Sequence, residues 1–307
     1  MAGAAGSPLP HAAAHLSEQQ ASQLAFQFLL RRPVTIERDS RKGRLDKVLS
    51  GGSMKTHFAC TNCGKCCHGH HISLTLGEAA QWIRDQGQLM VLVEAFLENG
   101  FGVPELQRGH AQRRSVRMRC GDAHAYVAIT FAAYNPGVCR FLTEDKRCGI
   151  YDRRPLVCRI YPIEINPHIQ MRPELKDCPP EAWDETSPLA YRDGRLVNED
   201  LLRLVEQSRQ ADRDEIAAKA EVCRRLGIDV AALKGDGFAT YLPDSDTLLA
   251  TIEDVVSGRS ATVPGLQNWG LQNWGLHATR PEILDQLTAM QASVATALPM
   301  NGTFIAI

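Results

Sequence analysis

The stretch FACTNCGKCCHGHH, residues 58–71, sets Cys60, Cys63, Cys66 and Cys67 within eight residues and follows them with His68, His70 and His71. Thiolates held this close repel one another. A bound cation offsets that repulsion and lowers their pKa values. On a helix, positions 60, 63 and 67 would share one face. In a loop, Gly64 would supply the tight turn that a metal knuckle needs. Cys66 and Cys67 are adjacent and point in different directions, so one of them serves a second ion or stands outside the ligand shell. Each histidine reads either as a metal ligand or as part of an exposed polar turn. His168, in INPHIQMRP, is a weaker candidate of the same kind.

A second group follows in CRFLTEDKRCGIYDRRPLVCRIYP, with Cys139, Cys148 and Cys158, and Cys178 comes after it in KDCPP. Together with the first four these make eight thiols. Eight suit two four-coordinate metal sites, or one iron–sulfur cluster with thiols to spare. A site shared between the two groups would cross-link distant segments and contribute folding free energy directly. Cys223, alone in a helical stretch, reads as a small buried hydrophobe. Cys120, in a strand-like stretch, is open between that reading and a ligand. A CxxC dithiol switch is a competing use of the quartet, but the βαβ context of thioredoxin-like motifs is missing.

The quartet FACTNCGKCC, the run C-x-I-Y-x-x-R-P-x-x-C-R-x-Y-P and the trailing cysteine resemble the YkgJ-type CxxCxxCC family, a zinc- or iron-chelating cysteine-cluster domain. The likeness covers residues 58 to 180. It implies metal ligands at Cys60, Cys63, Cys66, Cys67, Cys139, Cys148, Cys158 and Cys178, and it places Tyr151, Arg154, Pro155, Arg159, Tyr161 and Pro162 in the same motif. Relatives of that family include flagellin lysine N-methylases. Arg154 and Arg159 can donate hydrogen bonds to thiolates and compensate their charge, or else lie in a solvated turn. Tyr151 could pack over the site, and Pro155 and Pro162 would fix the angles of the ligand loop.

The elements that must position these residues are read from the remaining pattern. The chain has 307 residues, 44% apolar content and a net charge of −1, which gives no pull toward nucleic acid or an anionic membrane. Residues 1–15 read as disordered and 16–57 as a helix (Ala21, Leu24, Ala25, Phe28, Leu29) with a linker. Residues 58–184 form the cysteine-cluster domain and 185–307 a helical C-terminal region. Thr75 and Glu78 form a capping box for a helix through Trp82 and Ile83. LMVLVEAFLENG reads as a further helix. SVRMR and AYVAITFAAY read as a hairpin about Gly121-Asp122. Helices are expected over 199–226, after a cap at Asp246, and after Thr279 and Pro281. GLQNWGLQNWGL reads as a slipped loop exposing Trp269 and Trp274, or as a partner-binding patch. The fold class expected is α+β, predominantly helical, with short strands and metal-stabilised loops.

No Walker A, GxGxxG, HExxH or radical-SAM spacing is present. No secretory leader or membrane span is read, so the expected compartment is the cytoplasm, where thiols stay reduced. The leading function is a cytosolic metal-binding protein holding an iron–sulfur cluster or zinc or iron ions. One alternative is a protein-modifying enzyme like the lysine methylases, using S-adenosylmethionine. Another is an adaptor whose C-terminal helices bind a protein partner. No catalytic residue is assigned.

Overall fold

The computed structural model describes residues 54–258, 273–299 and 302–306. The expected disordered start and the first helix lie outside them, as does Trp269.

Eleven strands and six α-helices stand among the described residues, so the expectation of a predominantly helical fold fails. A large mixed sheet is built around β3 (Leu89–Leu97), the stretch expected to be helical. Its run LMVLVEAFL is buried on both faces, so it shows no alternation, and a short continuous apolar run cannot be told from a helix by period. The β-branched Val91 and Val93 and the aromatic Phe96 favour the strand. All of β3 pairs antiparallel with β5 (Ala123–Ala133), from Leu89↔Ala133 to Leu97↔Ala125. Its other edge takes β9 (Gly237–Tyr241) antiparallel and β8 (Val230–Leu233) parallel. The expected hairpin is present: β4 (Val116–Cys120) turns at Gly121, φ +63°, into β5. The sheet is completed by β2 (Ile72–Leu74) on β5, β10 (Gly275–His277) on β8 and β11 (Thr303–Ala306) on β9. The C-terminal region therefore supplies four strands to the sheet that also holds β3 and β5.

The helices follow the expected signals more closely. Helix α1 (Leu76–Arg84) starts at the Thr75–Glu78 capping box and buries Leu76, Ala79, Ala80, Trp82 and Ile83. Residues Glu105–Gln112 form α2, and α3 (Leu156–Ile160) is a single turn that carries Cys158. The long α4 (Glu199–Arg225) is capped by Asn198. Helix α5 (Ser245–Val256) is capped by Asp244, two residues before the expected Asp246, because the Asp244 carboxylate accepts from Thr247 N at 2.9 Å. Helix α6 (Pro281–Ala289) begins at the expected proline. Trp274, expected to be exposed, is fully buried: its backbone N–H donates to Arg119 O at 2.8 Å as the chain enters β10, and the indole enters the main core.

Two cores matter for the site. The main one packs α1, α4, α5 and α6 on one face of the large sheet. A smaller one sits under a three-stranded sheet of β1 (Lys55–His57), β6 (Leu189–Arg192) and β7 (Arg195–Leu196), and joins Phe58, Leu156, Ile160, Ala182 and Tyr191. No described helix is long and apolar enough to cross a membrane.

Candidate metal centre

Cys60, Cys63, Cys66, Cys67, Cys139, Cys148, Cys158 and Cys178 all line one cavity of about 760 Å³, part of it open to solvent. The cavity lies at the seam of the two cores. Ile72 and Trp82 of the main core line it together with Phe58 and Ala182 of the smaller one. None of His68, His70, His71, Cys120 or Cys223 lines it.

The cysteines ride on loops and single turns that are tied to each other. Cys66 and Cys67 sit in the 3₁₀ turn Lys65–Cys67, entered through Gly64 at φ +69°. A Cβ on Gly64 would lie 2.3 Å from Lys146 O and 2.7 Å from Leu142 Cδ1. Glycine is thus required twice, for the left-handed backbone and for the close approach of the 139–148 loop. Cys139 N donates to Cys67 O at 2.7 Å, and Cys148 N donates to Asn62 Oδ1 at 3.3 Å. Each of these hydrogen bonds, one to a backbone carbonyl and one to a side-chain amide, binds one cysteine segment to another distant in sequence.

Helix α3 is held by a group that the sequence reading missed. Glu78 receives Thr75 N on Oε2 at 2.9 Å, completing its own capping box, and Leu156 N on Oε1 at 2.6 Å. One carboxylate therefore caps both α1 and the turn that carries Cys158. The capping-box motif announces the first role, but nothing local announces the second. Near Cys178, the Asp177 carboxylate pairs with His70 Nε2 at 2.8 Å and accepts from the Tyr161 hydroxyl at 3.0 Å. This closes that rim of the cavity.

Comparison with known families gives a match over this same segment. Residues 59–179 match the CxxCxxCC family model, whose description is "putative zinc- or iron-chelating domain". The match spans less than half of the chain. No curated protein and no solved structure matches the chain.

The donor set of the chelating domain fits zinc or iron: eight thiols, with no carboxylate and no imidazole in the lining. Among the described residues, no three Cys, His, Asp or Glu side chains already converge on one ion-sized point. The sulfurs are carried by loops and single turns, not by the large sheet.

Electrostatics shows what a cation would relieve. A hydrogen bond with Cys67 brings Cys66 down to about 7, against burial, with the charges of His70 and Arg154 assisting. Cys139 is likewise brought to about 7 by its hydrogen bond with Cys67. Cys67, shared between the two, is driven strongly upward, first by Cys139 and then by Cys66. Burial raises Cys148 and Cys158, and it pushes Cys178 up to about 12. The thiolates that add to the rise at Cys178 are Cys66, Cys63 and Cys60, whereas those at Cys158 are Cys66, Cys139 and Cys148. Cys66 is common to both sets. A bound cation reverses these costs by favouring the thiolate forms.

The motif's other residues divide. Arg154 lines the cavity, donates Nη1 toward Cys60 Sγ at 3.8 Å and stacks on Tyr151, 3.7 Å from its ring centroid. Tyr151 is outside the lining, and its hydroxyl is raised first by burial and then by its hydrogen bond with Cys60. Arg159 is exposed and off the cavity. Burial holds His71 neutral, at about 4, and its Nδ1 lies 3.1 Å from Asn135 N, so this ring braces the loop after β5. His168 sits 6.1 Å from His110, away from the cysteines. Cys120 and Cys223 are fully buried in the main core.

Proposed function

We propose that the cavity holds a thiolate-bound metal centre, an iron–sulfur cluster in the first instance, with four donors drawn from Cys60, Cys63, Cys66, Cys67, Cys139, Cys148, Cys158 and Cys178 and the remaining thiols around it. The observation that carries this reading is the gathering of these eight thiols, from segments far apart in sequence, around one cavity. A single closed zinc site uses four ligands, and eight donors exceed it. Arg154 would donate to thiolate sulfur and offset the centre's negative charge. The bound metal would supply cross-linking of the two cores and, if iron, redox capacity. All ten cysteines stand as free thiols, which suits a reducing compartment such as the cytoplasm.

Metal and acid-labile sulfide analysis of anaerobically purified protein tests the reading. Iron with stoichiometric sulfide, and absorbance near 400 nm, is the expected result. About two zinc ions without sulfide would replace the cluster by paired tetrathiolate sites. A chain that is folded yet metal-free under these conditions would overturn the proposal.

A further inference from the structure

Trp82 stands near the end of α1, four residues after Glu78, so the two share a helix face. That face meets the turn carrying Cys158 through the Glu78 carboxylate, and Trp82 forms part of the thiol cavity's wall. The residue is only 4% exposed, and its ring is held on two sides. A Cβ on Gly87 would come 2.2 Å from Nε1 and 2.3 Å from Cδ1, so only glycine admits the ring there. Phe141, two residues past Cys139, packs edge-to-face with it at 5.0 Å.

The buried Nε1 of this indole has no hydrogen-bond partner among the described residues. A buried donor is costly to leave unmade, and the Phe141 ring offers it only a weak acceptor. No carboxylate lines the cavity, so the strong acceptors that a bound metal would create there are thiolate sulfurs. Trp274 supplies the contrast. Its Nε1 is also buried and unpartnered among the described residues, but it lies in the main core and off the cavity. Trp183 already donates Nε1 to Cys178 O at 3.4 Å.

We infer that Trp82 is a hydrogen-bond donor to the metal centre, its Nε1–H bonding to a sulfur of that centre once it is bound. The inference rests on the thiolate-bound centre proposed above. It adds a neutral donor from the main core to the charged one that Arg154 brings toward Cys60.

Ultraviolet resonance Raman spectroscopy tests this on the full-length protein, as purified and after removal of its metal by a chelator. An indole ring band reports N–H hydrogen bonding whichever metal is present, and the difference between wild type and Trp82→Phe isolates Trp82. The expected result is a bonded indole in the loaded chain and an unbonded one in the stripped chain. The Trp274 band, isolated in the same way by Trp274→Phe, should not move. In chelator competition Trp82→Phe should hold its metal about tenfold more weakly, as loss of a ligand's partner does, and Trp274→Phe should hold it as wild type does. The chain has four tryptophans. Should Trp82→Phe fail to fold, the Trp269→Phe/Trp274→Phe double variant, which keeps Trp82 and the already bonded Trp183, decides instead. An indole that gains a bond on loading supports the inference, and none gaining one overturns it. A loaded chain whose Trp82 band does not move, or equal metal losses in the Trp82 and Trp274 variants, would overturn this inference alone. A wild-type chain that carries no metal would sink the thiolate centre and this inference with it.

Discussion

Cys120 and Cys223 sit among packed sheet and helix side chains, fully buried, whereas the other eight cysteines ring a cavity bounded by loops and single turns. The same side chain serves as filler in one region and, under the proposed function, as metal donor in the other. In the sheet, nine consecutive pairings join β3 to β5, and the adjoining β4–β5 ladder holds Cys120 opposite Ala123. Around the cavity, four short segments are tied by isolated bonds such as Cys139 N to Cys67 O, and there the sulfurs retain freedom to converge. The sheet is a finished structure, while the cavity wall is one that, under the proposed function, an ion would complete.

The largest effect that could break this contrast is loss of a donor. Cys63→Ser and Cys158→Ser should each weaken metal binding by more than the roughly 10–100-fold typical of outer-shell changes, read as metal per chain after gel filtration. Cys223→Ala should keep full metal content and lose about 1 kcal/mol or somewhat more from the core, in denaturant titration. Equal metal losses in all three would erase the distinction between the regions. Metal removal by a chelator comes next. Hydrogen exchange should then accelerate at amides 60–68 and 139–148 and stay slow along β3 and β5. Uniform acceleration would mean that the metal supports the whole fold.

Two smaller changes sharpen the comparison at the cavity wall. Gly64→Ala places a Cβ 2.3 Å from Lys146 O at a left-handed backbone position. It should cost about 1–3 kcal/mol and lower metal content without touching a sulfur. Glu78→Gln weakens the shared cap of α1 and α3. About 1 kcal/mol of stability is expected to go, with metal affinity down about tenfold; a variant that changes stability but not affinity would free α3 from the proposed positioning. The smallest effect lies in the packed region. The Glu221 carboxylate is held below the usual range by Arg224 first and then Arg225. Its folded pKa is depressed, so its contribution is present above the unfolded carboxylate value and is lost as pH falls through the folded one. In acid titrations, Glu221→Gln should remove about 1 kcal/mol at neutral pH and progressively less below pH ~4.

The gathering of the eight cysteines around one cavity was legible in the sequence because thiols in tight local spacing have few bland explanations, and helix α1 was legible because its capping box is local. The nature of β3 was not legible, since burial on both faces erases the alternation that marks a strand. Trp274 was misplaced for a related reason: a duplicated polar-looking stretch gave no hint that its end would enter the sheet as β10. Arg159 stands one residue beyond Cys158 in α3, about 100° further around the helix, so when Cys158 faces the cavity Arg159 faces solvent. Glu78's second hydrogen bond joins residues 78 positions apart, which no local pattern records.

X-ray absorption at the metal edge of the anaerobically prepared protein tests the central claim most directly. An inner shell of sulfur alone, at about 2.3 Å, is the expected result, and it should diminish in Cys158→Ser. A shell dominated by nitrogen or oxygen would place the metal away from these thiols and contradict the account.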